Sequence, residues 1–268
     1  PSTVSVEKNL SLARRAAKKQ DWLTAVNLNK AVLERFPGNK KAGKALASVR
    51  VEAKDGLLKS AAEAQGKEDW PSAIGQLSAA LYLSPEDPTI SKELAFCYLE
   101  QDFPLKALGL CEVLEASNPV APDTLILKGR ALHKLGKAKE AREVLSRALE
   151  FTPEAPVIHR LLGVVAQSEG KLSDALQHFD NGLKSAPTDI SLLRHTSIVK
   201  RDFSDDDPHI KMTRQALAKY GPDNPNSAFL HLAMFEMLHR SSEHDSAFPH
   251  LKKANELIAQ QHPFDFRS

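Results

Sequence analysis

Residues 141–187 read AREVLSRALEFTPEAPVIHRLLGVVAQSEGKLSDALQHFDNGLKSAP. This stretch holds one pattern twice, because Ala141 and Pro153 recur as Ala175 and Pro187 after 34 residues. Between each alanine and its proline, apolar residues follow the three- and four-residue spacing of a helix face. The proline then ends one helix and allows another to begin. The stretch therefore predicts helices that recur with a period of 34 residues.

The same two markers extend upstream at the same interval. Ala73 and Ala107 precede Pro85 and Pro119 by the same distance, and their units are again 34 residues apart. In each unit a second amphipathic segment lies before the alanine and is separated from it by a turn, for example at Gly136. The predicted unit is helix, turn, helix.

The positions that these units share carry a family resemblance. Units that begin at residues 54, 88, 122 and 156 have a small residue at position 8, Ala at position 20 and Pro at position 32. This pattern resembles the tetratricopeptide repeat. The resemblance implies an all-α fold, a right-handed superhelical solenoid of about seven antiparallel helix pairs in which each pair packs on its neighbours. Trp22 and Trp70 take the position that plugs the turn, and Phe103 is expected to replace it in the unit that begins at residue 88.

The spacing outside the regular units suggests a three-part organisation. Residues 1–53 are predicted to form a divergent repeat and a long connecting helix. Ala25 precedes Ala73 by 48 residues, which is one period of 34 plus 14, and 14 residues are close to four helical turns. One helix over 39–65 is expected, with a loose linker as the alternative. Residues 54–187 form the four regular repeats, and 188–268 form degenerate repeats and a C-terminal helix pair. Helices are expected in this last part over 190–202, 208–220, 227–240 and 245–261.

Charge and motif content exclude several function classes. The 36 Lys and Arg residues against 34 Asp and Glu leave a net charge of +2, too balanced for bulk binding to nucleic acid or an anionic membrane. No apolar run of about 18 residues and no secretory signal is present, which predicts a cytoplasmic chain. Phosphate-binding loops, nucleophile elbows and common zinc motifs are also missing. We therefore expect no enzyme activity, no cofactor, no metal, no nucleic acid and no membrane partner.

Three groups of polar residues have a structural interpretation that we favour over a functional one. Cys97 and Cys111 are predicted to be buried thiols, since a disulfide needs an oxidising compartment. The histidines between His231 and His262 lack the three- or four-residue spacing of helical metal ligands. The acidic run over 205–207 lies before a helix start, where carboxylates are favourable, and a cation site is the alternative.

The resemblance also implies where a partner binds. In tetratricopeptide stacks, positions 2, 5, 9, 12 and 13 of the first helices line a concave groove that holds extended peptides or partner helices. In this chain these positions supply Lys92, Phe96, Arg130, His133, Lys134, Arg160, Val164, Gln167, Arg194, Ile198 and Arg201.

This predicted groove has a chemical character of its own. Basic residues outnumber acidic ones, and a guanidinium binds a carboxylate through two parallel hydrogen bonds, while apolar positions anchor side chains. The predicted function is a protein-protein interaction scaffold that binds a peptide or partner protein, with an acidic partner favoured. The alternative is a solvated helix face with incidental charge, and the oligomeric state is left open. The Lys and Asn pattern with which chaperone-binding members clamp a terminal carboxylate is not reproduced, since position 9 holds Ala62, Phe96, Arg130 and Val164, so chaperone docking is not expected.

A second resemblance supports an alternative function. The stretch from residue 227 resembles the end of the repeat region in bacterial tetratricopeptide sulfotransferases, through paired motifs at Ala247 and Phe248, His250 and Leu251, Ala254 and Asn255, and Phe264 and Asp265. The nucleotide-sulfate-binding loop of that family is absent, so no catalytic residue is carried over. This alternative is the N-terminal repeat region of a larger enzyme, and it predicts that the native chain continues beyond Ser268 into a catalytic domain.

Overall fold

The computed structural model describes residues 5–204 and 206–261, and all their regular secondary structure is helical. This described part forms fourteen α-helices and one short 3-10 helix at Pro225–Ser227. The α-helices, in chain order, are α1 Val6–Lys18, α2 Trp22–Arg35, α3 Lys40–Gln65, α4 Trp70–Leu83, α5 Pro88–Glu100, α6 Pro104–Ser117, α7 Pro122–Lys134, α8 Ala138–Phe151, α9 Pro156–Ser168, α10 Leu172–Ser185, α11 Ile190–Val199, α12 Pro208–Tyr220, α13 Ala228–Arg240 and α14 His244–Gln261.

These helices form seven consecutive pairs, which confirms the all-α repeat architecture expected from the 34-residue period. Within six of the pairs, the turn places one residue in the left-handed backbone region. Glycine occupies that place at Gly136 and Gly170, with φ of 75° and 76°. In the rest of these six pairs a residue with a side chain adopts this conformation, which is strained for it, for example Glu68 with φ of 57°. The turn geometry is therefore imposed by the packing of the two helices as well as by glycine.

The long helix predicted near the N-terminus is confirmed. Helix α3 begins after Asn39, whose side chain accepts a hydrogen bond from the N–H of Ala42 at 3.0 Å. It runs without interruption to Gln65 and buries a single stripe that includes Val49 and Leu57. Because the stripe stays in phase, the helix packs against both α2 and α4. The loose-linker alternative is wrong.

Two local predictions need correction. The helix expected over 190–202 ends at Val199, because the guanidinium of Arg240 donates hydrogen bonds to the carbonyls of Ser197 and Lys200 at 2.5 and 2.7 Å. These contacts satisfy carbonyls that an end of a helix leaves without partners. Phe103 does not plug its turn, since 46% of its surface is exposed and its ring lies edge-on to Tyr98.

The chain divides into two compact units, unit 1 within residues 1–119 and unit 2 within residues 120–268. Unit 1 contains α1 to α6 and unit 2 contains α7 to α14. These units are defined by packing, whereas the three-part organisation above is defined by repeat regularity, and that organisation stays a prediction.

The core of each unit comes from small and aliphatic residues at the repeat positions. In unit 1, Trp22 and Trp70 are partly buried against the core, as turn plugs are expected to be. Cys97 and Cys111 are both buried thiols. In unit 2, a Cβ atom at Gly163 would lie within 2.8 Å of ring atoms of Phe179, so the helices of this pair touch where the small residue is. No helix in the described ranges has the length and apolar character needed to cross a membrane.

Candidate binding groove

Eight of the predicted groove residues in unit 2 lie on the first helices of three consecutive pairs. Helix α9 contacts both α7 and α11, so these three helices form one continuous side of the unit. Their predicted groove residues are partly buried or exposed, as a binding surface requires. They are Arg130, His133 and Lys134 on α7, Arg160, Val164 and Gln167 on α9, and Arg194 and Ile198 on α11.

Three predicted groove residues lie elsewhere. Arg201 follows the end of α11 in irregular structure, so the expectation that it occupies a helical groove position is wrong. Lys92 and Phe96 lie on α5 in unit 1. There the ring of Phe96 packs edge-on against Trp70 at 5.9 Å. Eight of the nine groove residues predicted in unit 2 thus lie on α7, α9 and α11, and Arg201 does not.

Arg160 is the most informative of these residues. Its side chain is partly buried, and it makes no hydrogen bond or ion pair with any described residue. Burial lowers the pKa of its guanidinium, Asp189 partly offsets this, and Arg130 adds to the lowering. A partly buried charge is normally hydrogen-bonded to a partner in native proteins. Arg160 has the electrostatic effect of Asp189 but no hydrogen-bonded carboxylate among the described residues.

Arg194 extends the positive region along α11. Its guanidinium donates one hydrogen bond to the hydroxyl of Ser197 at 3.1 Å. Burial lowers its pKa as well, Glu236 on α13 opposes this, and Arg240 contributes to the lowering. Arg194 and Arg160 therefore provide two positive charges on neighbouring helices.

The sequence analysis missed a third member of this region, His195. Its Nδ1 atom is buried and lacks a hydrogen-bond partner among the described residues, and its ring stacks on Phe179 with centroids 5.3 Å apart. Burial lowers the pKa of His195, followed by the charges of Arg160 and Arg194. The residue is at position 6 of its unit, next to a predicted groove position. In the sequence, only its place directly after Arg194 connects His195 with the predicted groove.

Other histidines form pairs that the sequence analysis did not find. His159 and His178 approach with Nδ1 atoms 3.4 Å apart, and His231 and His250 approach to 2.8 Å. In each pair the two residues are 19 positions apart, one on each helix of a repeat. No group of three or more potential metal ligands occurs in the part of the chain that the structure describes.

The acidic run before α12 caps that helix. The carboxylate of Asp207 accepts hydrogen bonds from the backbone N–H of His209 at 2.9 Å and from the ammonium of Lys200 at 2.5 Å. Asp206 pairs with Lys211, and Asp205 lies outside the described residues. This arrangement agrees with the helix-start interpretation.

Comparison with known proteins supports the tetratricopeptide resemblance. Residues 106–156 and 126–190 match the family model described as a tetratricopeptide repeat. A solved structure of PilF from Pseudomonas aeruginosa is 19% identical, with a TM-score of 0.58 over 81% of this chain and 95% of that one. A tetratricopeptide repeat protein from Parabacteroides merdae is 17% identical, with a TM-score of 0.52 over 94% and 93%. These structures share the fold.

Curated relatives are longer than this chain. The human N-alpha-acetyltransferase 16, NatA auxiliary subunit, is 27% identical over 126 residues, which are 46% of this chain and 14% of the relative. Protein FlbA from Caulobacter vibrioides is 28% identical over 194 residues, which are 72% of this chain and 30% of the relative. The matched region thus spans less than a third of either protein.

Proposed function

We propose that this chain is a non-catalytic protein-interaction scaffold, and that the α7, α9 and α11 side of unit 2 binds an acidic peptide segment of a partner protein. Tetratricopeptide repeats over 106–190 support the interaction role. The human relative is by name an auxiliary subunit of an acetyltransferase, which fits a supporting role. The absence of catalytic motifs from the sequence is in line with it.

The single observation that carries the proposal is the state of Arg160. Asp189 acts on this guanidinium only at a distance, and no carboxylate is hydrogen-bonded to it among the described residues. A guanidinium that is partly removed from water in this way gains more from an incoming anion than an exposed charge does. Arg194 adds a second positive charge on the neighbouring helix, and His195 offers a buried Nδ1 atom without a hydrogen-bond partner among the described residues. Val164 and Ile198 supply apolar contacts on the same helices, since Ile198 is 37% exposed. Such a surface suits carboxylates that alternate with apolar side chains.

The test measures binding of a short fluorescent peptide, blocked at both ends and rich in Glu and Asp, by anisotropy. Arg160→Glu combined with Arg130→Glu should weaken binding by at least tenfold, because both charges then repel the peptide. Helical circular dichroism of the variant, unchanged from that of the original chain, checks that a loss of binding is not a loss of fold.

The matched control is Lys139→Glu combined with Lys184→Glu. This variant makes the same change in net charge on the exposed faces of α8 and α10. It should leave the affinity within about twofold of the original chain. Equal losses in the two variants would mean that net charge alone attracts the peptide, and the groove would then have no specific role.

Several finer predictions belong to this proposal. Lys92 and Phe96 are proposed to serve partner binding from unit 1. The partner is proposed to be protein and not nucleic acid or membrane, and the chain is proposed to act in the cytoplasm without a cofactor. Binding of the acidic peptide but not of single-stranded RNA, measured over a salt series, would support the partner class.

The alternative of a repeat region that precedes a sulfotransferase domain stays a prediction. Ala247 and Ala254 of its motifs are buried in α14, where they also serve the packing of the last helix pair. Phe264 and Asp265 lie outside the described residues. Sequencing the parent reading frame tests this alternative, which predicts a catalytic domain after Ser268.

A further inference from the structure

Unit 1 contains an open cleft of about 920 Å³ that the repeat pattern did not predict. Residues from five consecutive helices, α2 to α6, line it. Its apolar floor includes the buried side chains of Leu83 and Leu94 and the partly buried side chain of Leu110. Its volume lies at the upper end of the range for sites that bind ligands.

This cleft is separate from the groove positions of unit 1. Leu94 and Tyr98 of α5 line the cleft, whereas Lys92 and Phe96 of the same helix are the predicted groove residues. Side chains two positions apart point about 200° apart around a helix axis, so the two sets lie on opposite sides of α5. A ligand in the cleft therefore leaves the groove side of this helix accessible.

The polar part of the cleft lining is positively charged. Lys30, Arg50 and Lys106 line it, and no carboxylate is among the described residues that do. Within the described chain, none of these three cations forms an ion pair. The cleft thus presents three uncompensated positive charges around an apolar floor.

Aromatic rings hold two of these cations in place. The ammonium of Lys30 lies 4.7 Å from the ring centroid of Tyr82 and 3.4 Å from its hydroxyl oxygen. The ammonium of Lys106 lies 5.3 Å from the ring of Tyr98 and 4.8 Å from that of Phe103. Cation–π contacts restrict a side chain without neutralising its charge. Less conformational entropy is then lost when an anion binds.

Gly109 leaves one position of the cleft lining on α6 without a side chain. It lies in the interior of α6, where glycine is less favourable than alanine by about 0.5 to 1 kcal/mol. A Cβ atom at this position would meet no atom within 4 Å, so the packing of the fold does not require glycine. Its lack of a side chain leaves room for a ligand to approach the helix closely.

We propose that this cleft is a second binding site, which takes an acidic segment of a partner protein that carries apolar side chains. The apolar side chains would occupy the leucine floor, and flanking carboxylates would meet Lys30, Arg50 and Lys106. Alternation of apolar and acidic residues is the chemistry that complements both features at once. All of its described lining residues belong to unit 1.

The experiment uses the full chain with Arg160→Glu and Arg194→Glu, so that the groove of unit 2 does not contribute. Three blocked fluorescent peptides share the same leucine positions and carry Glu, Gln or Lys between them. We expect the Glu peptide to bind at least tenfold more tightly than the Gln peptide, and the Lys peptide more weakly than both.

Variants of the cleft then locate the binding. Adding Arg50→Glu and Lys106→Glu should weaken the Glu peptide at least tenfold. Adding Gly109→Trp should do the same by filling the cleft, while the helical circular dichroism is kept. The matched control, Lys41→Glu with Lys59→Glu on exposed sites of α3, should leave the affinity unchanged.

The outcomes separate this proposal from the groove proposal. If the Glu peptide binds the starting variant and the cleft variants abolish this binding, the cleft is a binding site, whether or not the groove of unit 2 also binds peptide. If Gly109→Trp and the charge reversals leave binding unchanged, or if all three peptides bind equally, the cleft proposal is wrong. Tighter binding of a single-stranded oligonucleotide, competing with the Glu peptide, would also overturn it.

Discussion

Replacing Gly163 by alanine should destabilise unit 2, although alanine favours helix more than glycine does. The added Cβ would lie 2.6 Å from Cδ1 and 2.8 Å from Cζ of Phe179, whose side chain is fully buried. Because the ring is fully buried, it can make room for the Cβ only by displacing its neighbours. Overpacking of this kind costs about 1 to 3 kcal/mol. The close clash places Gly163→Ala near the upper end of that range.

The matched control is Gly75→Ala. Gly75 also lies inside a helix, but a Cβ there would meet nothing within 4 Å. It should therefore show only the gain in helix propensity, about 1 kcal/mol. Because Gly163→Ala carries the same gain, the difference between the two variants in free energy of unfolding measures the overpacking. Urea unfolding followed by circular dichroism gives both values.

A double mutant identifies the cause. In a Phe179→Ala background the ring is gone, so Gly163→Ala should become stabilising there by the helix-propensity gain. The reasoning is refuted if Gly163→Ala and Gly75→Ala have the same effect, or if the sign of Gly163→Ala does not change in the Phe179→Ala background.

Three further predictions concern stability. Burial, and then the neighbouring His231, lower the pKa of His250, so the unfolded chain binds more protons than the folded chain. Unit 2 should therefore lose stability as the pH falls below about 6.5. Urea midpoints measured from about pH 7.5 to 5.5 should show a smaller loss in His250→Gln than in the original chain. Glu68→Gly should raise the thermal midpoint of unit 1, because a left-handed residue with a side chain costs about 1 kcal/mol; an unchanged or lower midpoint would contradict this. Arg240→Ala should destabilise unit 2 by about 1.5 to 3 kcal/mol, and Arg240→Lys should recover only part of it, since one ammonium does not reproduce the guanidinium contacts at the end of α11.

The helix pairs could be predicted because the residues that determine them are local and periodic. Each of the four regular repeats has its small residue, its alanine and its proline at fixed positions. The long helix α3 could be predicted because its extra residues keep the apolar stripe on one side of the helix. The end of α11 could not be predicted in this way. It depends on Arg240, which lies about forty positions later in the chain. Arg240 contacts backbone carbonyls, which every residue has, so no side chain near the end of α11 indicates the contact.

The candidate site could be predicted in part for the same reason. The helix positions of Arg160 and Arg194 follow from the repeat register, and their place on neighbouring helices follows from stacking. The partial burial of Arg160 and the burial of Nδ1 of His195 depend on side-chain packing across several helices. The two histidine pairs could not be predicted from spacing within a helix, because a separation of 19 residues joins two different helices.

The proposal that Arg160 receives a carboxylate can be tested most directly by NMR of the arginine side chains. The chain is labelled with ¹⁵N-arginine, and the Nε–H signal of Arg160 is assigned from its loss in Arg160→Lys. On addition of the blocked acidic peptide, the signals of Arg160 and Arg194 should shift in proportion to occupancy, while that of Arg142, already paired with Glu169, stays in place. A peptide that binds without shifting the Arg160 signal would contradict the account.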